Sequence, residues 1–550
     1  MQYSENFIKL YEKAFRDNYE LPALSDYGTD VSFTYSELAV EIEKIHILFD
    51  EQGIRPGDAI ALVGKNSAYW CVIFLATITY GAVTVPILND FNPNDIQHIV
   101  NHSDSLLLFA SDSILKDLDE NQMTGLKMIY SFEGKAISNR KEGENLSVRL
   151  TNLFNGKYAA GFNRETVRYP ELSNENVMLL NYTSGTTGFS KGVLLTGDNL
   201  TGNIIFAQLT LPLKRGDNLL SLLPLAHAYG CAFEFLFPLT MGCHVTLLGK
   251  TPSPKILMKA FEEVKPNLII SVPLILEKIY KNMIVPLVNK PVMKAALNIP
   301  VINTLLYSVV RKKLVQAFGG RFIQVVIGGA PLNSEVEQFF LKIRFPVSVG
   351  YGMTECAPLI SFSLYTEYVP LSCGKILPNM KVRIDSEDPH QVAGEIQVSG
   401  QNVMRGYYKN EEATQQVFTA DGWLKTGDLG TIDKDNNIFI RGRSKCMILS
   451  PSGQNIYPEE IEAKLNNLPY VGESIVISSN SRLIALVYPD YEAAKTAGLS
   501  QEDLKETMRK NKETLNSRVA AFERISEIRL YENEFEKTPK KSIKRFLYTE

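Results

Sequence analysis

The stretch Tyr182–Val193, YTSGTTGFSKGV, gathers groups that hold an anion. Thr183, Ser184, Thr186 and Thr187 carry hydroxyls, Gly185, Gly188 and Gly192 leave the backbone uncovered, and Lys191 adds a mobile positive charge. Small residues let successive backbone N–H groups turn inward and form a concave nest. The chemistry such a stretch can do is phosphate binding. The same composition also suits a solvent-exposed loop. A Walker A reading, G-x-x-x-x-G-K-[ST], fails twice, because Ser190 stands where Gly is needed and Gly192 where Ser or Thr is needed.

Other residues could do chemistry but are weak signals singly. Glu355 in GYGMTE and Asp428 in LKTGDLG are each most simply surface acids, and His227 in LPLAH is most simply structural. His98 and His102 lie four apart, but Ile99 stands where H-E-x-x-H needs Glu, so they read as surface or cap histidines. The six cysteines are scattered with no C-x-x-C, which points to neither a disulfide framework nor a zinc cluster and fits a reducing cytoplasm. A net charge of −4 gives no general attraction to nucleic acid.

These residues need a scaffold. At 550 residues the chain should divide into two or more domains. The apolar run 177–180 predicts a buried strand, so the Gly-rich loop leaves the end of a sheet, where α/β proteins bind ligands. Thr34 and Glu37 form a capping box before a helix over 34–52. AIALVG (59–64) and LLLFA (106–110) read as strands. The apolar span Ala68–Leu88 is broken by Gly81 and Pro86, and reads as a buried helix and then a buried strand, in preference to a membrane span. Strands alternating with helices predict parallel α/β units. Residues 133–170 read as irregular surface. A helix is expected over 198–210, and strands at SLLPLAH, with His227 at the tip of the following turn, at HVTLLG, NLIISVP and FIQVVIGGAPL, and before GYGMTE. GEIQVSGQNVMRGYY alternates like an antiparallel element, and LKTGDLG reads as ending in a turn that holds Asp428. From about 446 the pattern is β-α-β-β-α, a smaller α+β domain. The expected division is 1–442, a hinge at 443–446, and 447–550.

The block 280–321 carries Lys281, Lys290, Lys294, Arg311, Lys312, Lys313 and Arg321 with no acidic residue. It reads first as a solvated helical face. The alternative is a helical hairpin touching anionic membrane. The start, MQYSENFIKL, lacks the basic region and apolar core of a signal peptide. A cytoplasmic location is expected, at the inner face of a membrane if the basic block docks there.

The order of residues in the Gly-rich loop resembles the phosphate loop of the acyl-adenylate-forming (AMP-binding) enzymes, [ST]-S-G-[ST]-T-G-x-P-K-G, with Ser190 in place of the usual Pro. Four further stretches are similar to motifs of that superfamily, in its order: IGGAPL, GYGMTE, TGD, and GRSK followed by SPSGQNIYPEEIE. The long spacer between LPLAH and GGAPL is most like that of the long-chain fatty acyl-CoA synthetases. The resemblance implies an α/β fold: a large N-terminal domain of parallel and mixed sheets plus a β-barrel-like part, and a small mobile α+β domain.

It also implies the reaction. A fatty acid carboxylate attacks the α-phosphate of ATP, pyrophosphate leaves, and CoA then takes the acyl group as a thioester. By resemblance, Thr183, Ser184, Gly185, Thr186, Thr187, Gly188 and Lys191 hold the β- and γ-phosphates, Glu355 binds Mg²⁺, and Thr354 touches the α-phosphate. Tyr351 lies against the adenine, with Gly329, Ala330 and Pro331 opposite. Asp428 and Arg443 bind the ribose, His227 and Gly352 line the acyl site, Lys445 is the hinge, and Gly453 approaches the pantetheine of CoA. Transfer to a carrier-protein pantetheine, an enzyme that stops at the adenylate, and a non-catalytic acyl or nucleotide sensor are the alternatives.

The chain departs from the resembled pattern near its end. The family's T-P-x-G-K-I-x-R becomes Thr538-Pro539-Lys540-Lys541-Ser542-Ile543-Lys544-Arg545, with Ser542 at the Lys position. Ser supplies no positive charge. Either Lys541 works from one residue away, which is the expectation because its stem is long and flexible, or the chain adenylates poorly. Three solvated lysines are the plainer alternative.

Overall fold

A computed structural model of the chain describes residues 1–550 apart from 134–135, 140–145, 184–190, 251–252, 289, 298, 450–453, 480–481, 539–542 and 549–550. Among the described residues two large sheets organise the N-terminal part. One is eight-stranded, in the spatial order Gly406–Tyr407, Lys191–Thr196, Val177–Thr183, Val83–Ile87, Ala59–Val63, Leu107–Ala110, Met128–Glu133 and Ala136–Asn139. Its centre is parallel, and Lys191–Thr196 and Gly406–Tyr407 add antiparallel strands at one edge. The other is seven-stranded, in the order Val347–Val349, Gln324–Ile327, Leu268–Ser271, Asn218–Ser221, His244–Leu247, Pro22–Asp26 and Ser32–Thr34, and is parallel except for its last pair.

The span Ala68–Leu88 divides as its breakers dictate. Ser67 caps a helix Ala68–Tyr80 by accepting from the Trp70 N–H, and Gly81 ends it in the left-handed region at φ 90°. The strand Val83–Ile87 follows. Residues 68–79 are buried on every face, and the helix touches strands of both large sheets. An all-round apolar helix is stable only where it is enclosed in this way. Among the described residues no helix is long and apolar enough to cross a membrane.

A β-rich part completes the N-terminal region. It pairs a four-stranded antiparallel sheet, Met380–Asp385, Gly394–Gly400, Leu424–Ile432 and Ile438–Arg443, with a three-stranded one, Tyr351–Gly352, Leu359–Phe362 and Lys375–Ile376. A bridge between Lys375 and Asn437 joins the two.

Several expectations need correction. Residues 133–170 are not all irregular: Leu146–Lys157 is a helix that buries Leu146, Leu150 and Phe154, one apolar residue per turn. Asp428 does not sit in a turn but inside the nine-residue strand Leu424–Ile432. The basic block is a chain of short helices, a π-helical turn Tyr280–Ile284, then Val285–Val288 and Pro291–Leu297, before the long helix Pro300–Ala317, and not a hairpin. Pro291 and Pro300 fall in first turns, where a missing N–H costs nothing.

The C-terminal part is built on the strands Val471–Ser479, Arg482–Pro489 and Ile525–Leu530, with helices Pro458–Leu465 and Gln501–Asn516 burying Leu465, Leu504 and Leu515 against it. The parallel strand Ile525–Leu530 and the short helix Tyr491–Thr496 are additions to the predicted pattern. Polar contacts link this part to the rest: Lys281 to Asp490 at 2.9 Å, the Asn333 amide to Ala463 O at 3.1 Å, and Arg441 to Glu460 at 3.6 Å.

Candidate functional site

The site begins where two strands of the eight-stranded sheet turn back on each other. Val177–Thr183 and Lys191–Thr196 pair antiparallel, with Thr183 opposite Lys191, and the Thr183 hydroxyl donates to Lys191 O at 3.5 Å. The intervening residues, with Ser184, Gly185, Thr186, Thr187 and Gly188 of the phosphate-loop reading, lie outside the described residues.

The next strand outward carries a residue that sequence reasoning missed. Gly406–Tyr407 pairs with Leu194 and Val193. This register sets the Tyr407 ring beneath Lys191, whose Nζ is 4.8 Å from the ring centroid. That is cation–π geometry. The Tyr407 hydroxyl donates to Glu355 Oε1 at 2.9 Å. Burial, and then the charge of Glu355, push the phenol well above its ordinary range, so it stays a protonated donor. Glu355 stands in a single 3₁₀ turn, Thr354–Cys356, with Thr354 buried beside it. Its backbone is held as well, because Met404 N donates to Glu355 O at 2.8 Å.

Buried amides brace this turn from behind. On the helix Gly197–Thr210 that follows the Lys191 strand, Asn203 donates to Cys356 O at 3.3 Å and accepts from Leu359 N at 2.9 Å. Gly352 is required here by close approach: a Cβ would lie 2.2 Å from Pro358 O.

A second polar group sits where the three- and four-stranded sheets meet. The Tyr351 hydroxyl donates to Asp428 Oδ2 at 2.7 Å, and Arg443 Nε contacts Asp428 Oδ1 at 2.8 Å. Cross-strand register makes the second contact, since Asp428 faces Arg443 directly. Burial pushes the Asp428 carboxyl above the ordinary carboxylate range, and Arg443 and then the Tyr351 hydroxyl hold it down. Glu355 is close enough to act on the same carboxylate.

Beside Tyr351 lies the turn after Gln324–Ile327. Gly350 N donates to Ile327 O at 2.8 Å, which joins the two segments. Gly329 has φ +86°, and Ala330 and Pro331 are exposed. Gly328 packs on Tyr229, whose ring a Cβ there would meet at 2.9 Å.

From this turn an open cavity runs among Phe206, Tyr229, Phe233 and Phe362, with His227, Gly329, Tyr351, Gly352 and Thr354 in its lining. Its lining, mostly apolar with a few polar groups, suits an organic ligand with an apolar body and a few polar atoms. His227 caps a short turn, its Nδ1 accepting from Tyr229 N at 3.3 Å. The loop leading to it is tied by Glu234, which is 1% exposed. That carboxyl accepts from Ser221 Oγ at 3.0 Å, Leu222 N at 3.1 Å and Leu223 N at 2.9 Å. Burial pushes it up to about 8 against those donors.

Lys191, Thr354, Glu355, Tyr351, Asp428, Arg443, Gly329, Gly352 and His227 therefore converge on one region. Lys445 is exposed, in the 3₁₀ turn Ser444–Cys446 between the two parts of the chain. Gly453, Lys541 and Ser542 lie outside the described residues. Tyr407, Asn203 and Glu234 carried no sequence signal, because each acts through partners distant in the chain or through backbone groups.

Residues 11–408 match the profile of the AMP-binding enzyme family, and residues 446–549 that of the AMP-binding enzyme C-terminal domain. A long-chain-fatty-acid–CoA ligase of Mycobacterium bovis, FadD15, is 30% identical over 86% of this chain and 81% of its own. 4-Coumarate–CoA ligase 1 of Arabidopsis thaliana is 26% identical over 96% of this chain and 90% of its own. Among solved structures, ATP-bound MatB from Rhodopseudomonas palustris superposes with a TM-score of 0.77 at 22% identity, covering 100% of this chain and 98% of that one.

Proposed function

The chain belongs to the AMP-binding enzyme family, and from that premise we propose that it activates a long-chain fatty acid with ATP, through an acyl-adenylate, and passes the acyl group to CoA. The observation that carries the reading is the convergence of Lys191, Tyr407 and Glu355 with the Tyr351–Asp428–Arg443 cluster beside an apolar cavity. Cations and donors for phosphate, an acceptor for ribose hydroxyls and an apolar slot for an acyl chain lie side by side.

In the first step a carboxylate oxygen bonds to the α-phosphorus, and the bond to the bridging oxygen of pyrophosphate breaks. Two anions must be brought together, so positioning and charge neutralisation do most of the work. Lys191, with Thr183 and residues 184–188, would hold the β- and γ-phosphates, and Thr354 would contact the α-phosphate. Asp428 would accept the ribose hydroxyls while Arg443 donates. Tyr351 and the turn Gly329–Pro331 would flank the adenine, and His227 and Gly352 the acyl group.

The residues present fit Mg²⁺. Glu355 offers a hard carboxylate oxygen next to Tyr407 and Lys191, and one carboxylate shared with substrate phosphates is an ordinary environment for this ion. When bound, Mg²⁺ would screen the charge of the leaving pyrophosphate.

In the second step the CoA thiol sulfur bonds to the acyl carbon and AMP leaves. A division into 1–442, a hinge at 443–446 with Lys445 as pivot, and 447–550 would let the small part present Gly453 to the pantetheine. Lys541 would supply the charge absent at Ser542. The reading includes a cytoplasmic place with peripheral attachment to a membrane.

Pyrophosphate release with a panel of acids, with and without CoA, tests this function. Release with long-chain acids and thioester formation only with CoA are expected. Faster release with aromatic acids would replace the substrate class, and no release with any acid would overturn the activity.

A further inference from the structure

The helix Pro300–Ala317 carries apolar residues on two opposite faces. One face packs inward, with Leu314 buried and Tyr307, Val310 and Val315 partly buried against the core of the seven-stranded sheet. The opposite face presents Ile302, Leu305 and Val309, which are 40%, 64% and 53% exposed. At about 100° per residue these three form a single stripe, and Lys312 and Lys313, both exposed, fall on its two flanks one turn later. Ile299, just before the helix, is exposed as well. Long exposed apolar side chains lined up on one face mark a contact surface.

We propose that this face docks the protein on an anionic phospholipid bilayer, with Ile302, Leu305 and Val309 entering the boundary between headgroups and acyl chains and Lys312 and Lys313 pairing with lipid phosphates. Charge selects this occupant. No Asp or Glu occurs between Glu277 and Glu335, so the whole surrounding segment is cationic. A second copy meeting this face symmetrically would set Lys312 and Lys313 of both chains together, and the segment 278–334 holds no acid to neutralise them. A lipid surface offers the two things the face needs, an apolar layer and a sheet of negative charge above it. This deepens the peripheral location proposed above, and does not depend on which acid the site takes.

Sedimentation with vesicles tests it, using the full chain. Vesicles of phosphatidylcholine are compared with an equal mixture of phosphatidylcholine and phosphatidylglycerol. The chain should bind the mixed vesicles at low salt, bind pure phosphatidylcholine weakly, and release as salt rises. Lys312→Glu with Lys313→Glu should lower partitioning roughly thirtyfold or more. Leu305→Ser with Val309→Ser should lower it at every salt concentration. The same double reversal at Lys505 and Lys510, exposed on the helix Gln501–Asn516, changes net charge equally and should leave binding intact. Absence of binding to the mixed vesicles at low salt would overturn the proposal, as would equal loss in the Lys505/Lys510 variant. A dimer in sedimentation equilibrium that Leu305→Ser with Val309→Ser splits, without vesicle binding, would assign the face to a second copy instead.

Discussion

The ammonium of Lys191 lies over the face of Tyr407, 4.8 Å from the ring centroid. The hydroxyl of that ring reaches Glu355 at 2.9 Å, so one side chain spaces the phosphate-binding cation and the metal-binding carboxylate of the proposed mechanism. Two substitutions separate its two contacts. Tyr407→Phe keeps the ring and removes the donor to Glu355. It should raise the Mg²⁺ concentration needed for acid-dependent ATP–pyrophosphate exchange and cut that exchange roughly tenfold, the scale of a hydrogen bond to a charged group. Tyr407→Leu removes both contacts and should cut it further. An unchanged Mg²⁺ dependence in Tyr407→Phe would show that the bond does not position the carboxylate.

Glu355→Gln preserves shape and hydrogen-bonding capacity but removes the charge. Its exchange activity should fall by roughly a hundredfold or more, because stabilisation that grows as pyrophosphate leaves is lost. ATP binding, followed by equilibrium dialysis, should persist. Full exchange in this variant would sink the assignment of Glu355.

Glu234 gives a pH signature. Its folded value of about 8 lies above the ordinary 4.5 of a glutamate. The folded chain therefore keeps a proton that the unfolded chain releases above about pH 4.5, and the stabilisation, full below that value, is lost as pH rises through about 8. Glu234's contribution should make the melting temperature decline between about pH 4.5 and about pH 8, and the decline should shrink in Glu234→Gln. Parallel declines in both proteins would remove Glu234 as the cause.

Lys445 sits in a single exposed turn between two structured parts. Lys445→Pro fixes φ there and should hold one arrangement of the two. The exchange reaction should keep most of its rate, while thioester formation from preformed acyl-adenylate falls at least roughly tenfold. Equal loss in both assays would count against a hinge at this residue.

How far the fold could be read in advance depended on whether the signal was local. The division of Ala68–Leu88 was legible because Gly81 and Pro86 punctuate it. Asp428 was misread because Thr426-Gly427-Asp428 has the composition of a turn. In the structure Gly427 takes φ +73° inside a strand whose pairing shifts register on both sides, so the turn-like residue serves an irregular strand. The helix Leu146–Lys157 escaped notice because one apolar residue per turn gives a faint periodicity. The strand Ile525–Leu530 was hidden by its Ser, Glu and Arg, as suits an edge strand. In the site, Lys191, Glu355 and Asp428 stood out through their motifs. Tyr407 did not, since its partners lie far away in the chain and only sheet register brings them together.

Ion pairs fasten residues 537 and 545 to the small part. Lys537 contacts Glu473 at 2.7 Å on the strand Val471–Ser479, and Arg545 pairs with Glu462 on the helix Pro458–Leu465. Glu462 also accepts from Val476 N at 2.6 Å, so helix, strand and tail share one buried carboxylate. If the small part turns about residues 443–446, the anchored residues Lys537 and Arg545 turn with it, as points bolted to a lever. The Lys541 of the proposed mechanism falls between these two residues in the chain, so the stroke itself would time its part in the first half-reaction without a signal of its own. Cutting one anchor, as in Arg545→Ala, should blunt adenylation although Lys541 is retained in the sequence, a loss that Lys445→Pro should not reproduce.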